Sequence, residues 1–447
     1  MHQDLTQGSV WKKIFRFALP MLIGNLFQQL YNLTDSVIVG KYIGKEALAA
    51  VGVSFPIIFL LISLIIGVAM GATIMISQYY GAHQYKKIRL TNSTLMIFLL
   101  LSAVVISIVG IFFTEHIFIL INLPQELMPQ AVKYLQVYLL GMIFFFGYNG
   151  VSAVLRGLGD SKTPLLFLII STILNIILDL LFVVVWHFGV EGTAWATIIS
   201  QGTALVIAIL YLRKKGEIIE FSFRRFKFDT AIFKQILKIG IPSGLQATLV
   251  SLGMMAILGI VNSFGTDVVA AYSAAFRIDA LATLPAMNFA AALSTFVGQN
   301  MGAGMMDRIK KGYRATLIMS SLFSVMITIV IYFWGDALMS IFTSDKNVIR
   351  IGVEYLVIVS SFYIVFSAMF STSAIMKGAG DTMVTLIISI MAFWVIRVPS
   401  AYFLSQYMGE KGIWWSWPMG MSVGLILSYS YYKTGHWKRK AIIKNSI

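Results

Sequence analysis

The chain has 447 residues, of which 58% are hydrophobic and 12% are charged, and its formal net charge is +15. Soluble domains usually carry about 25% charged residues, so this composition excludes an ordinary soluble protein and indicates an integral membrane protein with many spans. The basic residues lie between apolar segments, which indicates topology signals and not a nucleic-acid interface, and the absence of cysteine excludes disulfides and thiolate metal sites.

The apolar segments are long enough for about twelve transmembrane helices. Lys12, Lys13 and Arg16 precede the first segment, and no small-residue cleavage site follows it, so we predict a helix there and not a removable signal. The predicted spans are 14–40, 51–78, 93–114, 131–155, 164–186, 192–212, 236–263, 268–297, 313–334, 350–376, 383–405 and 412–432.

The loops between these segments alternate in charge. One set is basic and includes 83–89, 156–162, 213–227, 308–314 and the tail at 438–440, whereas the other set is acidic. The positive-inside rule places the basic set and both termini in the cytoplasm. We therefore predict a protein of the inner (plasma) membrane of a prokaryote.

The chain contains an internal repeat. Gln78-Tyr-Tyr-Gly-Ala82 matches Gln299-Asn-Met-Gly-Ala303, and Arg156-Gly-Leu-Gly-Asp160 matches Lys377-Gly-Ala-Gly-Asp381, both with an offset of 221 residues. An even number of helices per repeat gives both halves one orientation. We predict an all-α membrane protein with two six-helix lobes related by a pseudo-two-fold axis along the membrane normal, which suits a transporter.

The repeat also predicts the domain boundaries. Residues 1–213 form the N-lobe, 214–234 a polar cytoplasmic linker, 235–432 the C-lobe, and 433–447 a basic cytoplasmic tail.

Asn175-Ile-Ile-Leu-Asp179 lies inside the fifth span. A carboxylate in hydrocarbon costs at least a few kcal/mol, so it usually faces a protein interior or a wet cavity and has a function. Residues four apart share one face of a helix, and their oxygens suit a proton or a small hard cation. The alternative is a polar pair that only holds two helices together.

Two further residues are predicted at the same depth. Asp35 lies late in the first span, Asp179 lies about 22 Å from the start of the fifth, and Thr197 lies about 7–8 Å into the sixth from the outside, at about 1.5 Å per residue. Asp35, Asn175, Asp179 and Thr197 can then form one H⁺ or Na⁺ coupling site. Repulsion between two nearby carboxylates would favour binding of a proton.

This site is predicted in one lobe only. The repeat offset places Ala256 opposite Asp35 and Ser400 opposite Asp179, so the second half lacks both acids. Pro20 lies fifteen residues before Asp35 and should bend the first helix. The bend is either a hinge that responds to the site or a static kink.

The second half has its own charged residues inside predicted spans, namely Arg277, Asp279 and Arg397. A pair between Asp279 and Arg397 would neutralise both charges. Alternatively, Asp279 faces the cavity and binds organic cations.

The first span, from Pro20 through Leu30-Tyr-Asn-Leu-Thr-Asp35-Ser-Val-Ile-Val-Gly40, resembles the first helix of the multidrug and toxic compound extrusion (MATE) family. Val297-Gly-Gln-Asn-Met-Gly-Ala303 and the 156–160 loop are also similar to that family, and the similarity covers essentially the whole chain. The resemblance implies cation-coupled export of amphipathic, often cationic compounds by alternating access.

Within that family, the DinF-like branch is the more similar. Its ion site implies roles for Asp35, Asn175, Asp179 and Thr197, and its proposed helix bend corresponds to Pro20. The NorM-like branch is marked by acids in the seventh and tenth helices. Here the seventh has none and the tenth has only Glu354.

The main prediction is a monomeric antiporter that exports small amphipathic, cationic compounds and needs no cofactor besides its coupling ion. The alternative is a flippase for a lipid-linked precursor, although only Arg277 and Arg397 could offer basic groups in a cavity. A P-loop lysine motif, HExxH, and GxSxG with partners are all missing from the sequence, so we expect neither ATP-driven transport nor an enzyme.

Overall fold

The structure is a computed structural model that describes residues 3–215 and 226–443. All regular secondary structure in these ranges is helical. The α-helices are α1 Val10–Ile38, α2 Lys45–Gly81, α3 Tyr85–Leu120, α4 Met128–Leu140, α5 Met142–Gly157, α6 Lys162–Asp179, α7 Val190–Lys215, α8 Thr230–Asn262, α9 Thr266–Gly302, α10 Met306–Ser340, α11 Lys346–Ser360, α12 Tyr363–Ala379, α13 Thr382–Ile390, α14 Val398–Met408 and α15 Glu410–Thr434.

These helices coincide with the twelve predicted spans. The pairs α4–α5 and α11–α12 are each one span bent by 48° and 47°, and α13 continues into α14 through a π-helical segment, Met391–Arg397. Among the described residues, eight helical segments are long and apolar enough to cross a membrane, or ten when each bent pair counts as one. The predicted all-α membrane fold is confirmed.

The chain divides into two compact units. The first comprises Met1–Gln3 and Ile23–Ile241, and the second comprises Asp4–Leu22 and Pro242–Ile447. The predicted lobes, 1–213 and 235–432, therefore need a correction at the first helix of each half. The divisions fall after Leu22 and after Ile241, close to Pro20 and at Pro242, where a proline removes a backbone hydrogen bond and weakens the helix.

Two predicted segments extend beyond the described residues. Positions 216–225 of the linker, with its Arg224 and Arg225, and positions 444–447 of the tail are outside them.

Close helix packing in the first unit depends on glycine. A Cβ atom on Gly71 of α2 would lie 2.7 Å from the carbonyl oxygen of Ile236, and one on Gly240 of α8 would lie 2.6 Å from the Cα of Val68. Small residues at such crossings let two backbones approach directly. The glycines of the Gly67–Gly71 segment therefore serve helix packing.

The same packing recurs in both units at one offset. A Cβ on Gly157 would meet the carbonyl oxygen of Thr73 at 2.9 Å, and a Cβ on Gly378 would meet that of Ser294 at 2.4 Å. Both members of these pairs are 221 residues apart. The repeat therefore keeps its register inside these helices as well as in the loops.

Candidate functional site

The two acids of the predicted site each lie beside a π-helical turn in the first unit. Asp35 is near the end of α1, which is followed by the π-helical segment Val39–Ile43. Asp179 is the last residue of α6, and Leu180–Val185 continues from it as a second π-helical segment. π-Helical turns are rare and occur frequently at functional sites.

Asn175 bridges the two acids. Its amide nitrogen donates to Asp35 Oδ1 at 3.0 Å and to Asp179 Oδ2 at 3.2 Å, in the amide orientation that avoids placing its oxygen against two acceptors. The carboxyl groups of Asp35 and Asp179 also interact directly. The structure thus brings together three of the four residues predicted for the coupling site.

The burial of these three side chains is graded. Asn175 and Asp179 are 0% exposed, and Asp179 Oδ1 has no hydrogen-bond partner. Asp35 is only half-buried. A buried carboxylate oxygen without a donor is unfavourable, so this inner position has room in its chemistry for a bound proton or cation.

Thr197, the fourth predicted residue, contacts the acids only indirectly. Its hydroxyl is hydrogen-bonded to the hydroxyl of Tyr31 on α1 at 2.7 Å. Tyr31 is buried and lies close enough to both acids to interact with them electrostatically. The sequence reasoning missed Tyr31, although it precedes Asp35 by four residues and so shares its helix face.

A cavity of about 200 Å³ opens beside this cluster within the first unit. Asp35 is the one charged residue among the described residues that line it, whereas Asn175 and Asp179 lie behind it. The lining residues share an aromatic or amide character, and those nearest in type are Gln28, Tyr31, Asn32, Phe55, Tyr134 and Tyr138. Asp35 therefore stands between an open, aromatic-lined cavity and a buried carboxylate.

In the second unit, Asp279 does not pair directly with Arg397. Asp279 accepts a hydrogen bond of 2.7 Å from the Tyr363 hydroxyl and a longer one of 3.5 Å from the Tyr355 hydroxyl. Tyrosine hydroxyls satisfy this carboxylate, which corrects the predicted ion pair. Asp279 is 6% exposed, so it is part of the helix packing.

Arg397 is buried with little polar contact, and Arg277 is exposed. The guanidinium of Arg397 lies 4.8 Å from the centre of the Phe393 ring, and its Nε and Nη1 have no partner. It remains close enough to Asp279 for electrostatic attraction. The remaining acid noted in this half, Glu354, forms an ion pair of 2.7 Å with Lys411.

Comparison with known families gives two matches along the chain. The family model described as MatE matches residues 20–181 and again residues 242–403. The matches begin at Pro20 and Pro242, which agrees with the internal repeat.

Individual relatives are similar along nearly the full length. The chain is 34% identical to the "Probable multidrug resistance protein YpnP" of Bacillus subtilis (strain 168), covering 97% of each chain. It is 27% identical to the "Probable multidrug resistance protein NorM" of Thermotoga maritima, covering 97% of this chain and 94% of that one.

A solved structure has the same fold. The crystal structure of a MATE protein in the bent conformation matches with a TM-score of 0.91 at 26% identity, covering 97% of this chain and 98% of that chain.

Proposed function

The chain belongs to the MatE family of membrane transporters, and on this premise we propose that it is a secondary active multidrug efflux antiporter. It exports amphipathic, cationic compounds in exchange for H⁺, or alternatively Na⁺, by alternating access. The observation that carries this proposal is the position of Asp35, which lines the cavity and is bridged by Asn175 to the buried Asp179.

Competition for one carboxylate supplies the coupling. A cationic compound in the cavity interacts with ionised Asp35, whereas a proton or Na⁺ at Asp35 and Asp179 removes that attraction. A ligand shifts an equilibrium only by its different affinity for the two states. An acid shared by cargo and ion provides such a difference, because each weakens the binding of the other.

The chemistry of the cavity supports an amphipathic cargo. Tyr31, Phe55, Phe59, Tyr134 and Tyr138 supply aromatic surface, which attracts cations through the ring faces and covers apolar groups. Pockets for drug-sized ligands are usually about 300–1,000 Å³, so a cavity of about 200 Å³ accommodates the charged end of such a compound.

The coupling ion follows from the orientation of Asn175. With its nitrogen toward the acids, the amide stabilises two ionised carboxylates. When it turns, it offers its oxygen to protonated carboxyls or to Na⁺, which prefers oxygen ligands. We propose H⁺ as the coupling ion and a mechanism of the DinF-like branch, with Na⁺ as the alternative for the same residues.

Pro20 is proposed as the hinge of this cycle. α1 runs from Val10 to Ile38 through Pro20, and Asp35 lies on the arm beyond the proline. A MATE protein of similar fold has been solved in a conformation described as bent. We infer that α1 of this chain also bends, in response to the occupancy of Asp35 and Asp179.

The remaining parts of the proposal concern placement. The basic loops and both termini are on the cytoplasmic side of a prokaryotic plasma membrane, and the protein acts as a monomer. The flippase alternative is less well supported, since no basic residue is among the described residues lining the cavity, and a polyanionic lipid would require several.

The test measures ion exchange by the purified protein. Addition of a lipophilic cation to detergent-solubilised protein should release protons into a weakly buffered solution, and Asp35→Asn or Asp179→Asn should abolish this release. Ser400→Ala, at the repeat position of Asp179, is the matched control and should release protons normally.

Two results would contradict the proposal. Proton release that survives in both Asp variants would show that the first unit does not couple ion and cargo. Displacement of ²²Na⁺ in place of proton release would assign the site to Na⁺.

A further inference from the structure

A cluster of basic side chains lies where α10 begins and α15 ends, in the second unit. Lys310 and Arg314 are four residues apart on α10, so they share one face. Lys433 lies in the last turn of α15. All three act electrostatically on the side chain of Tyr432, which places them around one point.

Aromatic rings form the floor of this cluster. The Tyr432 ring lies 5.1 Å from that of Tyr313 and 5.8 Å from that of Trp437, on which it stacks at 13°. Lys433 lies over the Tyr429 ring at 5.2 Å. The cations are therefore held above a rigid apolar surface, and their charged ends remain exposed.

The basic tail is folded onto the same surface. Gly435 adopts a left-handed conformation, with φ of 71°, which reverses the chain after α15. Trp437 is then 2% exposed and donates from its indole nitrogen to the carbonyl oxygen of Tyr432 at 3.1 Å. Lys438, Arg439 and Lys440 follow on a short 3₁₀ turn with exposed side chains.

These six cations have little local opposition. Lys310 Nζ contacts Asp307 at 3.0 Å, but the two side chains are 57% and 87% exposed. Such exposed pairs contribute little, so another anion can compete for Lys310. The other nearby acid, Asp381, already accepts from the Tyr431 hydroxyl at 2.5 Å.

We propose that Lys310, Arg314, Lys433, Lys438, Arg439 and Lys440, here called the α10–α15 basic patch, bind the headgroup of an anionic membrane phospholipid. The phosphate lies among Lys310, Arg314 and Lys433, and the three tail cations face the surrounding anionic membrane surface. Clusters of four to eight basic residues next to a spanning helix are typical of such recognition. Because Trp437 already holds the tail in place, binding orders few additional residues.

The repeat provides an internal comparison. At the offset of 221 residues, Lys310, Arg314 and Lys433 correspond to Arg89, Ser93 and Leu212. The last two are buried in the first unit. The patch is therefore particular to one unit and is not a general consequence of cytoplasmic positive charge.

The experiment titrates purified protein with phosphatidylglycerol and, separately, with phosphatidylcholine, and counts bound lipids by native mass spectrometry. The variant Lys310→Gln/Arg314→Gln/Lys433→Gln should lose affinity for phosphatidylglycerol by about fivefold per cation removed. Its phosphatidylcholine binding should not change. The matched control, Lys86→Gln/Lys87→Gln/Lys214→Gln, removes three exposed cations from the first unit and should retain the wild-type affinity.

A second variant separates arrangement from net charge. Trp437→Ala keeps every cation but releases the tail, and we expect weaker phosphatidylglycerol binding with an unchanged thermal unfolding midpoint of the lipid-free protein. The proposal is overturned if the triple variant binds phosphatidylglycerol like wild type, or if the control loses as much. It is also overturned if soluble glycerol phosphate competes as well as the lipid, because the site would then bind a free anion.

Discussion

The Asn175 side chain is the residue whose removal most directly tests the geometry of the cluster. It is fully buried and donates to both carboxylates. Asn175→Leu leaves these acceptors without their donor, and we expect a loss of about 1–3 kcal/mol in stability together with loss of export. Thermal unfolding in detergent and transport in proteoliposomes measure the two effects.

The control for Asn175 replaces the inner acid as well. Asn175→Leu/Asp179→Leu removes a buried acceptor together with its donor, which is far less costly than removing the donor alone. Stability should return toward wild type while export stays absent. A double variant as unstable as the single one would show that Asn175 contributes by packing and not by its hydrogen bonds.

The carboxylate of Asp279 depends on a single tyrosine. Tyr363 donates at 2.7 Å and Tyr355 only at 3.5 Å, beyond the usual range for a strong bond. Tyr363→Phe should lower the free energy of unfolding by about 1.5–3 kcal/mol, the range for bonds to charged groups. Tyr355→Phe, a matched loss of one hydroxyl, should change it much less, and equal effects would refute this assignment.

Among the elements, α1 combines a proline with the cavity-facing acid. Pro20→Ala restores a backbone hydrogen bond and favours one straight helix, so turnover should slow while proton binding at Asp35 and Asp179 survives. Pro242→Ala is the matched change in α8, whose repeat counterpart of Asp35 is Ala256, and it should have a milder effect. Exchange rates in proteoliposomes decide, and equal rates for Pro20→Ala and wild type would make α1 a fixed strut.

At the scale of the whole molecule, the loop charges predict sidedness. His83, Gln125, Lys162 and Ser344 are exposed positions in a chain without native cysteine. Cysteines at positions 83 and 162 should react with an impermeant maleimide only from the cytoplasm, and those at 125 and 344 only from outside. Reversed labelling of either pair would overturn the positive-inside assignment.

Contacts that join distant parts of the chain were not predictable. The Tyr31–Thr197 bond, the tyrosines on Asp279 and the folding of the tail onto Tyr432 join side chains whose approach depends on helix rotation and on local turns. Likewise, opposite charge at Asp279 and Arg397 suggested a pair, but neighbouring hydroxyls satisfied the carboxylate first. Sequence spacing gives the face of a helix and does not give the neighbour opposite that face.

The sequence alone determined the helical membrane fold, the duplication and three members of the acid cluster. It could do so because hydrocarbon enforces long apolar helices, because loop motifs preserve the repeat offset, and because an acid is costly inside a membrane. Only the tertiary structure decided that Asn175 bridges the acids, that Asp35 alone of them lines the cavity, and where each first helix is divided between the compact units. Those features depend on how helices far apart in sequence pack, and packing is a property of the folded chain.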